Sequence, residues 1–273
     1  MSILDKIVDD TRALLDKRKV DVPRSSLESQ PLYTAPTRSF FDALNTSSLA
    51  FITEVKKASP SKGVIREDFD PPWIAQRYSE SGTQAISVLT EPLHFQGALQ
   101  YLTDIRQETS CPLLRKDFII DEYQLHEARA FGADAVLLIA AILDKQQLFD
   151  LHQAANALGL DCLVELYAAE EIGKIDFDQV RILGVNNRDL RTFEVDLTHS
   201  TRVFEQCPDG VIKVSESGIY SVEDLHYLRQ HKADAVLIGE SLMRAPDPGE
   251  KLNTLIKGLQ GKEQDESNIE HHA

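Results

Sequence analysis

Eight short apolar runs, longer helix-like segments between them and a length of 273 residues predict an α/β fold, a (β/α)8 TIM barrel with extra N-terminal helices. No G-x-G-x-x-G and no Walker A sequence occurs, which argues against the open doubly wound alternative. Residues 1–273 read as a single barrel domain. Within it, 1–46 is a helical extension packed outside the barrel and 261–273 a polar, frayed tail.

Taken in order, "ILDKIVDDTRALLDKRK" places Ile3, Leu4, Ile7, Val8, Leu14 and Leu15 at helical spacing, and "SFFDALN" follows a Pro-rich connection as a shorter helix. The strand rhythm begins at Leu49 with "LAFITEV", "QAISVL", "PLLRKD" and "DAVLLIA", and continues through "DCLVEL", "RILGVN", "GVIKVSE" and "DAVLIG". Such near-continuous apolar runs suit parallel strands covered on both faces. Between them, "PPWIAQRYSESG", "DEYQLHEARAFGA", "DKQQLFDLHQAANALG" and "SVEDLHYLRQHKA" have helical character, and several end in Gly or Ala-Asp before the next strand.

The 44 acidic and 29 basic residues leave a net charge of −15, which disfavours nucleic acid and anionic membrane as partners. No apolar run is long enough to span a bilayer, and "MSILDKIVDD" has no signal-peptide pattern, so a cytoplasmic protein is expected. The scattered Cys111, Cys162 and Cys207 fit a reduced compartment. Neither they nor the histidines show metal-ligand spacing, so no metal is expected. A monomer is expected as well.

In a barrel of this kind, catalytic groups stand at the C-terminal ends of the strands. The first strand ends in Glu54 and Lys56, two residues apart and hence on one face. Lys116 is in phase with Leu114, Glu165 with Leu163, and Asn186 with Arg188. The last two strands run into Ser217-Gly218 and Gly239-Glu240-Ser241, a composition suited to gripping phosphate through backbone N–H groups. A lone charge at a strand end is usually a solvated rim residue, but several converging ones mark a site. Lys56, Lys57, Lys62, Lys116 and Arg188 are expected to make that mouth electropositive and to steer an anionic ligand in.

"FITEVKKASPSKGVI" carries E-x-K-x-x-S-P-S after an apolar stretch, and in this it resembles indole-3-glycerol phosphate synthase. The resemblance continues through "LLRKDFIIDEYQ", "LVELY", "GVNNRDLRTFEVD", "VSESGI" and "AVLIGESLMR". It implies ring closure, decarboxylation and dehydration of 1-(2-carboxyphenylamino)-1-deoxyribulose 5-phosphate, a small-molecule sugar phosphate, in a reaction without redox change that calls for no organic cofactor. By resemblance, Lys116 is the general acid, Glu165 and Lys56 manage the dehydration, and Glu54 orients the lysine. Ser59, Asn186, Arg188 and Glu216 then bind substrate. Ser217, Gly218, Gly239 and Glu240 hold the phosphate, with Gly239 the more sensitive glycine because a Cβ there would obstruct the anion. Two alternatives are a related phosphoribosyl isomerase and a non-catalytic sugar-phosphate-binding barrel, which would keep the phosphate loops without the ionisable strand ends.

Overall fold

In a computed structural model, eight parallel strands close into a barrel. The structure describes residues 2–189 and 192–270; Leu190 and Arg191 of the "GVNNRDLRTFEVD" stretch and residues 271–273 of the expected tail lie outside them. The barrel strands are β1 (Ala50–Val55), β2 (Ala85–Leu89), β3 (Leu113–Lys116), β4 (Ala135–Ile139), β5 (Asp161–Leu166), β6 (Ile182–Asn186), β7 (Ile212–Glu216) and β8 (Ala235–Ile238). Each pairs with its sequence neighbours, and β1 closes on β8 with Ala50 opposite Ala235 and Ile52 opposite Leu237. A two-residue ribbon, Ala58–Ser59 against Gly63–Val64, sits in the loop after β1, where Gly63 takes a φ of +64°.

Alternation along the strands produces two apolar layers. Ile52, Leu114, Leu137, Leu163 and Val214 fill the barrel interior. Phe51, Val88, Val136 and Val164 point outward under the helices. The helices are α1 (Ile3–Asp21), α2 (Arg24–Glu28), α3 (Phe40–Leu44), α4 (Pro71–Glu80), α5 (Gln100–Glu108), α6 (Glu122–Phe131), α7 (Lys145–Ala157), α8 (Leu197–Phe204), α9 (Val222–Gln230), α10 (Glu240–Met243) and α11 (Pro248–Glu270). Their starts follow local chemistry. Ser2 and Asp5 form a capping box at α1, and Asp70 caps α4 ahead of a proline in its first turn.

Two expectations need correction. The N-terminal segment is not simply packed outside, because Phe40 and Leu44 of α3 join the interior cluster and plug the barrel's lower end. Asp161, at the start of β5, accepts from the Phe40 and Phe41 N–H groups at 2.9 and 3.0 Å and fixes that plug. The 261–273 tail is not frayed throughout, since α11 continues to Glu270. Its Lys, Glu and Gln content favours helix, and past Gly261 no Gly or Pro interrupts it.

Candidate active site

The C-terminal ends of the strands open into a concave, solvent-connected pocket. Glu54, Lys56, Ser59, Lys116, Glu165, Asn186, Arg188, Glu216, Ser217, Gly218, Gly239 and Glu240 all line it, so the residues given catalytic, substrate or phosphate roles meet in one place.

Register explains the juxtaposition. Lys116 ends β3 and faces the interior, as do Glu165 on β5 and Glu216 on β7. Its Nζ stands 2.8 Å from Glu165 Oε2 and 3.2 Å from Glu216 Oε2, with only 14% of the lysine side chain exposed. Burial alone would depress the lysine, but Glu165, Glu216 and Glu54 together outweigh it and hold the ammonium charged well above the usual lysine range. Burial also pushes Glu216 from its ordinary 4.5 up to about 8, because the attraction of Lys116 does not make up for lost solvation and the nearby Glu165 adds repulsion. Glu54 Oε1 pairs with Lys56 Nζ on β1, the pairing that their two-residue spacing implied.

That shift makes Glu216 a source of pH-dependent stability. A carboxyl whose folded pKa is raised contributes most below its unfolded value, and the contribution is lost as pH climbs from about 4.5 to about 8. Glu216→Gln cannot ionise, so its stability relative to the parent protein should grow through that window. Urea unfolding of both proteins at pH 5 and pH 8.5 checks this; an equal difference at the two pH values would show that Glu216 is not the titrating group.

The expected electropositive mouth is not what the side chains build. Among the described residues, the pocket lining holds three cations, Lys56, Lys116 and Arg188, and five carboxyl groups, those of Glu54, Asp117, Glu165, Glu216 and Glu240. Lys57 and Lys62 are not part of the lining. Arg188 lies beyond the end of β6 and engages Glu240 at 3.3 Å, while its own N–H donates to Asn186 Oδ1 at 3.0 Å. The cations are thus internally paired rather than a free positive field.

Beyond β7, Ser217 and Gly218 both lie in the left-handed region, with φ of 69° and 81°. Ser241 Oγ donates to Ile219 O at 2.8 Å and ties this loop to α10, whose first N–H groups have no intrahelical acceptor. A Cβ on Gly239 would meet the carboxylate of Glu54, and one on Gly218 would meet Val195. The reason expected for Gly239's sensitivity therefore changes: its first collision is with the site's own carboxylate.

Other lining residues were not legible as site residues. Phe95 and Phe118 put their rings 6.0 Å apart on one wall. Glu91 accepts from the N–H groups of Leu93, His94 and Phe95 at 2.6–3.0 Å and thereby sets the loop that carries Phe95. Ile3, Leu4 and Ile7 of α1 roof the pocket, and His94 holds Asp10 of the same helix at 2.9 Å. Asn187, buried beside the site, donates to Ser215 Oγ at 2.8 Å and Ser217 O at 3.2 Å. Among the described residues, no group of three His, Cys, Asp or Glu side chains could hold a metal ion, and no helix is long and apolar enough to cross a membrane.

Comparison with known proteins agrees with this geometry. The family model of indole-3-glycerol phosphate synthase matches residues 4–255. An indole-3-glycerol phosphate synthase of Salinibacter ruber is 59% identical over 257 residues, covering 93% of this chain and 95% of the relative. That of Rhodopirellula baltica is 46% identical over 248 residues, covering 90% and 96%. Among solved structures, a thiamine phosphate pyrophosphorylase from Pyrococcus furiosus superposes with a TM-score of 0.59 at 15% identity, covering 82% of this chain and 98% of that one. Orotidine 5'-phosphate decarboxylase from Pyrococcus horikoshii gives 0.58 at 11% identity, covering 77% and 99%. These two likenesses concern the barrel alone. The sequence match runs through every strand of the barrel and the whole lysine–glutamate cluster, and the chain belongs to the indole-3-glycerol phosphate synthase family.

Proposed function

We propose the following division of labour for the family's reaction, in which 1-(2-carboxyphenylamino)-1-deoxyribulose 5-phosphate yields indole-3-glycerol phosphate, carbon dioxide and water. Lys116 is the general acid: as the ring carbon bearing the carboxylate attacks the ketone, its ammonium gives a proton to the developing oxyanion. Carbon dioxide then leaves, and the electrons of the broken bond restore the aromatic ring. Glu165 and Lys56 act in the dehydration, where the new hydroxyl departs as water and one proton leaves the methylene beside the nitrogen. Glu54 holds Lys56 in place.

The observation that carries this reading is the charged Lys116 ammonium between Glu165 and Glu216 on the pocket floor. Phe95 and Phe118 offer an apolar wall to the aryl ring. Ser59, Asn186 and Arg188 bind the polar parts of the substrate, and Glu216 meets a substrate hydroxyl. Backbone N–H groups of Ser217, Gly218, Gly239 and Glu240 take the phosphate. The excess of carboxyl groups in the lining favours that backbone grip, since among the described residues each cation there is paired with a glutamate. The isomerase and the non-catalytic barrel are not favoured, because the relatives are consistently indole-3-glycerol phosphate synthases. A monomeric, cytoplasmic enzyme is part of this reading, and the three free cysteines fit its reducing compartment.

Adding the substrate and following indole fluorescence tests the reading. Turnover is expected, and inorganic phosphate should inhibit competitively. Ser217→Ala should weaken substrate binding by only about 1 kcal/mol, one ordinary hydrogen bond. No fluorescence gain, or inhibition by phosphate that is not competitive, would remove the assignment.

A further inference from the structure

Gly184 leaves a gap in the inner face of the barrel. It lies on β6 between Glu165 of β5 and Val214 of β7 in the strand register. Glycine weakens a strand interior and contributes nothing to its packing, so its presence there calls for a reason. A Cβ built at this position would run into Oε1 of Glu216, with Leu163 Cδ1 next at 3.3 Å. That glutamate oxygen is buried and has no hydrogen-bond partner among the described residues. The other oxygen of the same carboxyl stands 3.2 Å from Lys116 Nζ.

We propose that Gly184 is a positioning residue for the reaction: the volume where its side chain would be is the seat of the Glu216 carboxyl. The seat fixes how far that carboxyl reaches toward Lys116 and leaves Oε1 ready for a substrate hydroxyl. This rests on the reading of Glu216 as a substrate-binding group. The first atom that a methyl group would meet is the end of a flexible side chain rather than backbone. Alanine can therefore be accommodated by turning the carboxyl away, which leaves the barrel intact and disturbs the site. The charged groups facing the carboxyl are Lys116 from β3, Glu165 from β5 and, further off, Glu54 from β1 through its effect on Lys116. Burial already holds Glu216 largely neutral, and a displaced carboxyl would face these groups differently and titrate differently.

The test compares Gly184→Ala, Glu216→Ala and the double variant in the full chain, by thermal melting and by kcat/KM across pH. Gly184→Ala is expected to melt near the parent protein, to lose on the order of tenfold or more in kcat/KM, and to show a displaced alkaline limb. In the Glu216→Ala background the same change should be nearly silent, because only the close contact with Leu163 Cδ1, the end of a side chain, remains. A parent-like rate and pH profile in Gly184→Ala overturns the seat, and so does an equal loss in both backgrounds. If Gly184→Ala fails to fold while the double variant folds, the collision with Glu216 is identified directly; failure of both overturns the proposal. Parent-like activity in Glu216→Ala removes the substrate-binding reading and the seat with it. An impaired Glu216→Ala beside a silent Gly184→Ala removes the seat alone.

Discussion

Lys116→Met is expected to lower kcat by a factor on the order of 10² to 10⁴, the range for loss of a general acid. The variant should fold, but not because Lys116 is a dispensable rim residue. Its side chain is 14% exposed and serves two buried carboxylates, Glu165 and Glu216. Removing the ammonium leaves both without their cation, and Glu216, already pushed up by burial, then favours its neutral form still more. The variant's stability should therefore fall more steeply with rising pH than the parent's through the range where carboxylates ionise. In the parent, Lys116 itself is raised above its ordinary 10.5, so its stabilising contribution is fully present below that value and disappears only in strong alkali. Single-turnover kinetics with urea unfolding at pH 5 and pH 8 separates the two effects. Near-parent turnover in the variant would take Lys116 out of the proton transfer.

Arg115→Ala, one residue away, should leave the chemistry groups in place and strike stability instead, by about 3–5 kcal/mol. Arg115 has no exposed surface, and its guanidinium donates to Asp117 Oδ2 at 2.9 Å and Glu127 Oε2 at 3.0 Å. It also reaches Thr90 Oγ1 at 3.2 Å and the carbonyl of Gln124. Glu127 takes a further contact from Arg18 of α1 at 3.4 Å, so one buried charge cluster joins β3, α6 and the N-terminal helix. Without the arginine, buried Asp117 loses its partner cation and buried Glu127 keeps only Arg18, against a total stability that in most domains is only about 5–15 kcal/mol. Replacing the whole cluster, with Arg115→Met, Asp117→Asn and Glu127→Gln together, should recover part of the loss because no charge is then stranded. An unfolding free energy for Arg115→Ala within about 1 kcal/mol of the parent, no more than an ordinary single-site change, would show the cluster to be energetically idle.

The barrel and its polar strand ends were legible because both obey short-range rules. Alternation puts Glu54, Lys116 and Glu165 on the inner face, and the turn residues after them mark the strand ends. What joins Lys116 to Glu216 is different in kind. Their strands are not adjacent, and only barrel closure brings them within 3.2 Å. Ile3, Leu4 and Ile7 have the spacing of any packing face, and a third of a pocket roof looks the same in sequence as a helix against a core. Phe95 and Phe118 likewise read as core residues. The electropositive mouth was misjudged for a related reason: counting lysines along the chain does not reveal which carboxylates from other strands pair with them. Gly184 carried no signal, since a glycine inside a strand is read against its neighbours in sequence and its true neighbour, Glu216, comes from the next strand.

The seam between β1 and β8 has a consequence for the order of events during synthesis. Ala50 pairs with Ala235, so the first strand to leave the ribosome keeps one edge unpaired until almost the whole barrel has been made. Arg66, on the chain just after β1, waits equally long for the carbonyls of Met243, Ala245 and Pro246 that it binds at 2.9–3.3 Å. Contacts this distant in sequence form slowly and expose sticky edges meanwhile. Glu54 and Gly239 face each other across the same seam, so the nascent chain holds an incomplete pocket up to the last strand. Activity should appear only when β8 docks, in a single step with closure of the barrel.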